Sequence, residues 1–152
     1  MKAIEKAMRQ RIIHEARSWL GTRFKHQGRI KRREHFAGGV DCAGLIIEVG
    51  NALALFREPM TFHHYTRMPA GDYVRQACDA YLTPIPLLRK QPGDILLLQI
   101  HTEPQHLALL SDRQILIHSY APAKHVEELR FDETWQQRLV GVYSYPKLAS
   151  AV

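Results

Sequence analysis

The chain has 152 residues, 45% of them apolar and 24% charged, with a formal net charge of +6. It reads as one domain, 1–152, long enough to bury a real core, and its composition is ordinary for a globular protein. No apolar run approaches the roughly 18–20 residues of a membrane span, and Met1-Lys2-Ala3-Ile4-Glu5-Lys6 has neither the apolar stretch nor the cleavage site of a signal peptide. The expectation is therefore synthesis and folding in the cytoplasm without membrane insertion.

Ile4, Met8, Ile12, Ala16 and Trp19-Leu20 recur at helical spacing, so the first element is a helix over 3–20, closed by Gly21. Residues 21–40 have no clear period and contain four glycines, which reads as a loop. This loop also concentrates charge at Arg23, Lys25, Arg29, Lys31, Arg32 and Arg33. Its plainest meaning is a solvated surface. A nucleic-acid groove would interleave stacking aromatics, and between Arg23 and Arg33 only Phe24 is present, so no specific nucleic-acid partner is expected.

A second helix spans 42–55, with Asp41 as N-cap and apolar residues nearly all round, the pattern of a central buried element. Asp72 is placed to cap a third helix, 73–82, ended by Thr83-Pro84-Ile85-Pro86. Pro92-Gly93-Asp94 then turns the chain into Ile95-Leu96-Leu97-Leu98. Segments 106–110 and 115–120 form a hairpin around Ser111-Asp112-Arg113-Gln114, and 126–129 and 140–145 are further strands. Helices first and antiparallel strands afterwards indicate an α+β domain.

The chemistry centres on Asp41-Cys42-Ala43-Gly44-Leu45, which follows Gly38-Gly39-Val40. An unperturbed thiol has a pKa near 8.5 and is only about 3% ionised at pH 7. The unpaired N–H groups and the dipole of a helix N-terminus favour the thiolate. Small residues at Ala43 and Gly44 leave the first turn open to substrate, with backbone N–H groups facing an oxyanion. Cys78 falls on an apolar face of the third helix and reads as core. Two cysteines do not make a disulfide scaffold, although a Cys42–Cys78 bridge stays open at this level.

A cysteine nucleophile needs a base and an orienting group. His106 and His118 lie on the two arms of the hairpin. If Leu110 pairs with Gln114, His106 stands directly opposite His118 on one face, within hydrogen-bonding reach. A pairing of Leu110 with Ile115 would send the rings to opposite faces. Ala108 shares the His106 face, and its small side chain would let the Cys42 helix pack close. The other histidines, including His26, His63 and His64, show no metal-ligand spacing and read as surface or loop residues.

Together these segments resemble the NlpC/P60 superfamily of papain-like cysteine peptidases, and most closely its phage-tail and gene-transfer-agent type. The resemblance runs from Ala16-Arg17-Ser18-Trp19-Leu20-Gly21-Thr22 through Val40-Asp41-Cys42-Ala43-Gly44-Leu45, Pro92-Gly93-Asp94-Ile95, His106-Leu107-Ala108 and Ile117-His118-Ser119 to Gly141-Val142-Tyr143. It implies N-terminal helices packed on a central antiparallel sheet. It implies hydrolysis of peptide stems in bacterial peptidoglycan, with Cys42 as nucleophile, His106 as base and His118 as the orienting third residue. Phe24, Asp41 and Ala43 complete the substrate and oxyanion surroundings, and no metal or organic cofactor is needed. Phage tail proteins are the implied partners, and virion delivery or host lysis the implied route to the wall.

The chain departs from that pattern in two places. Phe24 stands where many members carry a tyrosine hydroxyl, and Arg23 where a proline is common; the segment 30–36 is also longer and more charged than the usual glycine-containing link. Two alternatives follow: a structural tail-assembly subunit with weak or no activity, and an amidase or acyltransferase of related fold. A histidine-based metal protein ranks last.

Overall fold

The structure, a computed structural model, describes residues 2–62, 65, 71–102 and 104–150. Helix α1 spans Ala3–Arg17 and is followed by a short antiparallel pair, β1 (Arg29–Ile30) and β2 (Gly39–Val40). Helices α2 (Cys42–Ala52) and α3 (Tyr73–Tyr81) come next. The remaining strands are β3 (Thr83–Ile85), β4 (Ile95–Gln99), β5 (Pro104–Asp112), β6 (Ile115–Tyr120), β7 (His125–Arg130) and β8 (Leu139–Ser144). Short helices α4 (Glu133–Gln137) and α5 (Pro146–Ser150) flank β8. Six strands form one antiparallel sheet in the order β3-β8-β4-β5-β6-β7, so the α+β architecture expected from the sequence is the one observed.

The central strands are apolar at successive positions, because the sheet is buried on both faces. One face carries Ile95, Leu97, Leu107, Leu109 and Ile117, and packs with Ile12, Ile13, Leu45, Ile46 and Val49 of α1 and α2. The other carries Leu96, Leu98, Ala108, Leu110 and Leu116, closed over by Phe131 and Trp135. Ala108 is thus on the face away from α2. The expectation that it makes room for the Cys42 helix is corrected: the helix packs on the side of Leu107. Both parities of β5 are apolar, so alternation could not decide which one meets the helix.

The α1 helix stops at Arg17, three residues short of Leu20, and a turn leads to Gly21, which takes a φ of +83°. Ile4 is exposed and not part of the inward stripe; Glu5, Arg9, Ile12 and Ala16 form that stripe. Arg9 donates to Glu5 Oε1 (3.0 Å), to Asp94 Oδ1 (2.8 Å) and to the Pro92 carbonyl (3.1 Å). Burial pushes the Asp94 carboxyl up and the Arg9 guanidinium pulls it back. This ion pair fixes α1 to the turn before β4. The segment Thr83–Ile85, read as a helix breaker, is an edge strand as well, where Pro84 can sit without breaking the ladder. Asp72 makes no side-chain cap to α3.

Removing one member of a buried ion pair leaves an uncompensated charge. Arg9→Ala is therefore expected to cost about 3–5 kcal/mol in urea unfolding, and the double variant Arg9→Met/Asp94→Leu to recover a large part of that loss.

Candidate active site

Cys42 opens α2, and the residue before it organises the whole approach. The Asp41 carboxylate is buried and accepts four hydrogen bonds: from Gly44 N–H (2.7 Å), Gln27 N–H (2.8 Å), Arg29 Nη1 (3.2 Å) and the Tyr65 hydroxyl (2.5 Å). The N-cap expected at Asp41 is thus present. Arg29 reaches on to the Phe62 carbonyl and the Tyr65 hydroxyl, both at 2.8 Å. The β1–β2 hairpin lies so close to the helix start that a Cβ on Gly44 would come within 2.6 Å of the Gly28 carbonyl and of Arg29. Arg29 is consequently a buried structural cation, whereas Arg23, Lys25 and Arg33 of the same basic segment are exposed.

The Cys42 thiol is half-buried and neutral. Burial first, then the Asp41 charge, push it up to about 12, against backbone N–H groups of Leu107, Ala43 and Cys42 that pull it down. The helix N-terminus does favour the thiolate, as the sequence suggested, but desolvation outweighs it here. Cys78 is free and buried in the core, also pushed up to about 12 by burial and by Asp79.

His106 and His118 are paired: His106 Nε2 lies 2.8 Å from His118 Nδ1. Their geometry differs from the expected cross-strand pair. β5 and β6 align Leu109 with Ile117 and Leu110 with Leu116, with a bulge before Asp112. Continuing that register puts Ala108 opposite His118, so the two imidazoles meet on a diagonal. Parity is preserved and they share a face, which is why the bond still forms. His118 Nε2 is 3.3 Å from Glu127 Oε2 of β7, a third member that the sequence did not single out. A neutral His118 that donates from Nε2 to Glu127 keeps Nδ1 as acceptor for His106 Nε2–H, leaving Nδ1 of His106 as the basic atom. Tyr120 and Trp135 enclose the pair, with ring centroids 4.9–6.1 Å from the imidazoles. Burial lowers His106 well below the usual histidine value, and the charges of His118 and Arg138 add to this. Burial also lowers His118, with Glu127 opposing.

The six residues named from the sequence fall into two groups. Phe24, Asp41, Cys42 and Ala43 line one cavity. His106 and His118 lie beside the Trp135 ring, and the backbone N–H of Leu107, next in the chain to His106, reaches the Cys42 thiol. The Cys42 cavity instead takes in Gln105, Leu107 and His26, whose Nδ1 is 4.0 Å from Asp41 Oδ2 and whose ring stands edge-on to Tyr65. Sequence reasoning missed Gln105, Tyr65, Arg29 and His26. Gln105 follows from His106 by strand alternation once the face is known. The others are brought in by long-range folding that leaves no local pattern. His63 and His64 lie outside the described residues. Among the described residues no three His, Cys, Asp or Glu side chains converge as metal ligands.

Residues 21–144 match the NlpC/P60 family, and the chain belongs to it. Among solved structures it is similar to an NlpC/P60 family protein from Bacillus cereus (TM-score 0.63, 16% identity), covering 90% of this chain and 40% of that one. It is also similar to the P60 domain of an antigen from M. avium subspecies paratuberculosis (TM-score 0.62, 12% identity, 95% and 98% covered). A third likeness is to the peptidoglycan hydrolase RipB from Mycobacterium tuberculosis (TM-score 0.58, 14% identity, 96% and 68% covered). The chain thus spans less than half the length of the Bacillus cereus protein. At these identities the likeness shows the fold. No curated protein sequence matches the chain.

A buried histidine held neutral binds fewer protons than its unfolded counterpart below pH 6.5, so stability falls as pH drops through that value. Both His106 and His118 are lowered. Thermal unfolding is expected to show a steep loss between pH 7 and pH 5, about 1.4 kcal/mol per pH unit for each histidine that stays neutral. His106→Gln should flatten that slope; an unchanged slope would mean the imidazoles are protonated without penalty.

Proposed function

We propose that this protein is a cysteine peptidase that cleaves peptide stems of bacterial peptidoglycan, with Cys42 as nucleophile. The observation that carries the reading is a thiol at the first turn of a helix, opening on a cavity, in a chain of the NlpC/P60 family. The fold likeness to RipB, a peptidoglycan hydrolase, supports the substrate class. In this reading Cys42 Sγ attacks the scissile carbonyl, and backbone N–H groups at Cys42 and Ala43 receive the developing oxyanion. His106 takes the thiol proton and passes it to the leaving amine, while His118 and Glu127 hold the imidazole in its tautomer. The thioester is then hydrolysed by water. The proposal extends to delivery in a phage or prophage tail, with tail proteins as partners, on the strength of the motif resemblance.

A second reading, a tail subunit with weak or no activity, is favoured by the neutral thiol and by Phe24, which brings no hydroxyl to the cavity. Mass spectrometry of purified wall fragments separates the two. New stem-peptide products are expected from wild type and none from Cys42→Ala. His106→Ala is expected to lose at least ~10²–10⁴-fold in rate, the range of general acid–base catalysis, and His26→Ala tenfold or less. A reversed order would make His26 the base. Products absent from every protein, over several wall chemistries with Cys42 reduced, would establish the second reading.

A further inference from the structure

The basic segment between α1 and α2 borders an open groove of about 470 Å³, lined by Trp19, Arg29, Lys31, Arg32, Arg33 and Glu48. The groove shares no lining residue with the cavity at Cys42. Two of its cations already have carboxylates: Arg29 Nη1 is 3.2 Å from Asp41 Oδ1, and Lys31 Nζ is 3.2 Å from Glu15 Oε1. Arg32 and Arg33 are exposed and have no ion-pair partner among the described residues. Arg32 Nε donates to the Leu20 carbonyl (3.1 Å), and the Arg33 guanidinium lies over the Phe36 ring, 5.1 Å from its centroid. Against these stands one carboxylate in the lining, Glu48. Exposed Arg23 and Lys25 add positive charge beside it, on a stretch whose backbone pairs with Ala37 and Val40 of the same segment.

A second observation points the same way. The Trp19 Nε1–H and the Arg29 Nε–H are buried donors without an acceptor among the described residues, and both side chains line the groove. Buried donors are costly to leave unpaired. The groove thus gathers guanidinium groups, an ammonium and two orphaned N–H donors, a set that calls for an oxyanion. A phosphodiester suits it better than a carboxylate, because its charge is spread over tetrahedral oxygens that take donors from several directions, arginine forks among them. A nucleic acid would also need open aromatic faces for its bases. Trp19, the aromatic residue of the lining, is only 4% exposed and has the Lys31 ammonium over its ring.

We propose that this groove docks a polyanion built of phosphodiester repeats without bases, of the poly(glycerol phosphate) kind. The site does not depend on the chemistry of Cys42, so the docking surface and the peptidase reading stand or fall separately.

The test uses the whole chain and fluorescein-labelled poly(glycerol phosphate) of defined length, with poly-L-glutamate and single-stranded DNA of equal charge as comparisons. Fluorescence anisotropy over a salt series gives affinity and its salt dependence. With Lys31, Arg32 and Arg33 each neutralising one phosphate, the slope of log K against log salt is expected to be about −2. Arg32→Glu/Arg33→Glu should lose at least about tenfold in affinity and flatten the slope to about −1 or less. Arg89→Glu/Arg113→Glu makes the same change of net charge outside the groove and should lose no more than about threefold. Glu48→Gln removes the opposing carboxylate and should bind about two- to fivefold tighter. Circular dichroism and thermal unfolding establish which variants are folded, and if the Arg32/Arg33 pair is not, Glu48→Gln decides. Equal losses in the two charge-reversal variants overturn the site, because net charge alone would then explain the binding. So does an affinity that Glu48→Gln leaves unchanged. Poly-L-glutamate bound as tightly as poly(glycerol phosphate), or DNA bound tenfold tighter, overturns the choice of ligand.

Discussion

Four hydrogen bonds converge on the Asp41 carboxylate, and the geometry around Cys42 depends on them. One bond, from Gly44 N–H, starts α2 and sets the direction of its first turn. The others come from the β1–β2 hairpin and from Tyr65, so a single carboxylate joins three separate stretches of chain. A charge this deeply buried is tolerable only when paired, and Arg29 supplies the pair. The same charge works against the chemistry, because Asp41 raises the pKa of the adjacent thiol. Arg29 therefore compensates Asp41 for the fold, while the Asp41 charge still bears on Cys42.

The sheet imposes the second constraint. Because β4 and β5 are apolar on both faces, the chain builds two cores back to back, one under the helices and one under Trp135. A side chain on β5 must belong to one or the other. Leu107 and Gln105 go to the helix side, and His106 goes to the Trp135 side, where His118 and Glu127 complete a line of three polar groups. The aromatic enclosure keeps these imidazoles neutral, the form in which one of them can act as a base.

Much of this was legible in the sequence where the signal is local. The Asp41 cap, the glycine-lined approach and the apolar run after Cys42 define α2 within a few residues. The hairpin follows from two apolar segments about a polar turn, and the sharing of a face by His106 and His118 from strand parity. What was not legible is long-range. Nothing near Arg9 says that Asp94 is its partner, and nothing near Arg29 says that it leaves the basic loop to enter the site. The bulged turn, which leaves Leu110 opposite Leu116 rather than Gln114, has no mark in the sequence. The choice of face for β5 was undecidable for a physical reason: leucines alternate with leucine and alanine, so either face could have been the helix side.

Proton bookkeeping shows what the site must do to work. Burial opposes both charges of a thiolate–imidazolium pair: it pushes the Cys42 thiol up to about 12 and lowers the His106 imidazole. Both groups are therefore held in their neutral forms in the free protein. An imidazolium facing a thiolate offsets this from both ends, since each charge stabilises the other in a low-dielectric site. Filling the apolar cavity would act in the same direction once the pair has formed, by excluding the water that otherwise screens it. Without a facing cation, a drier cavity would only raise the thiol further, because desolvation disfavours the charged form.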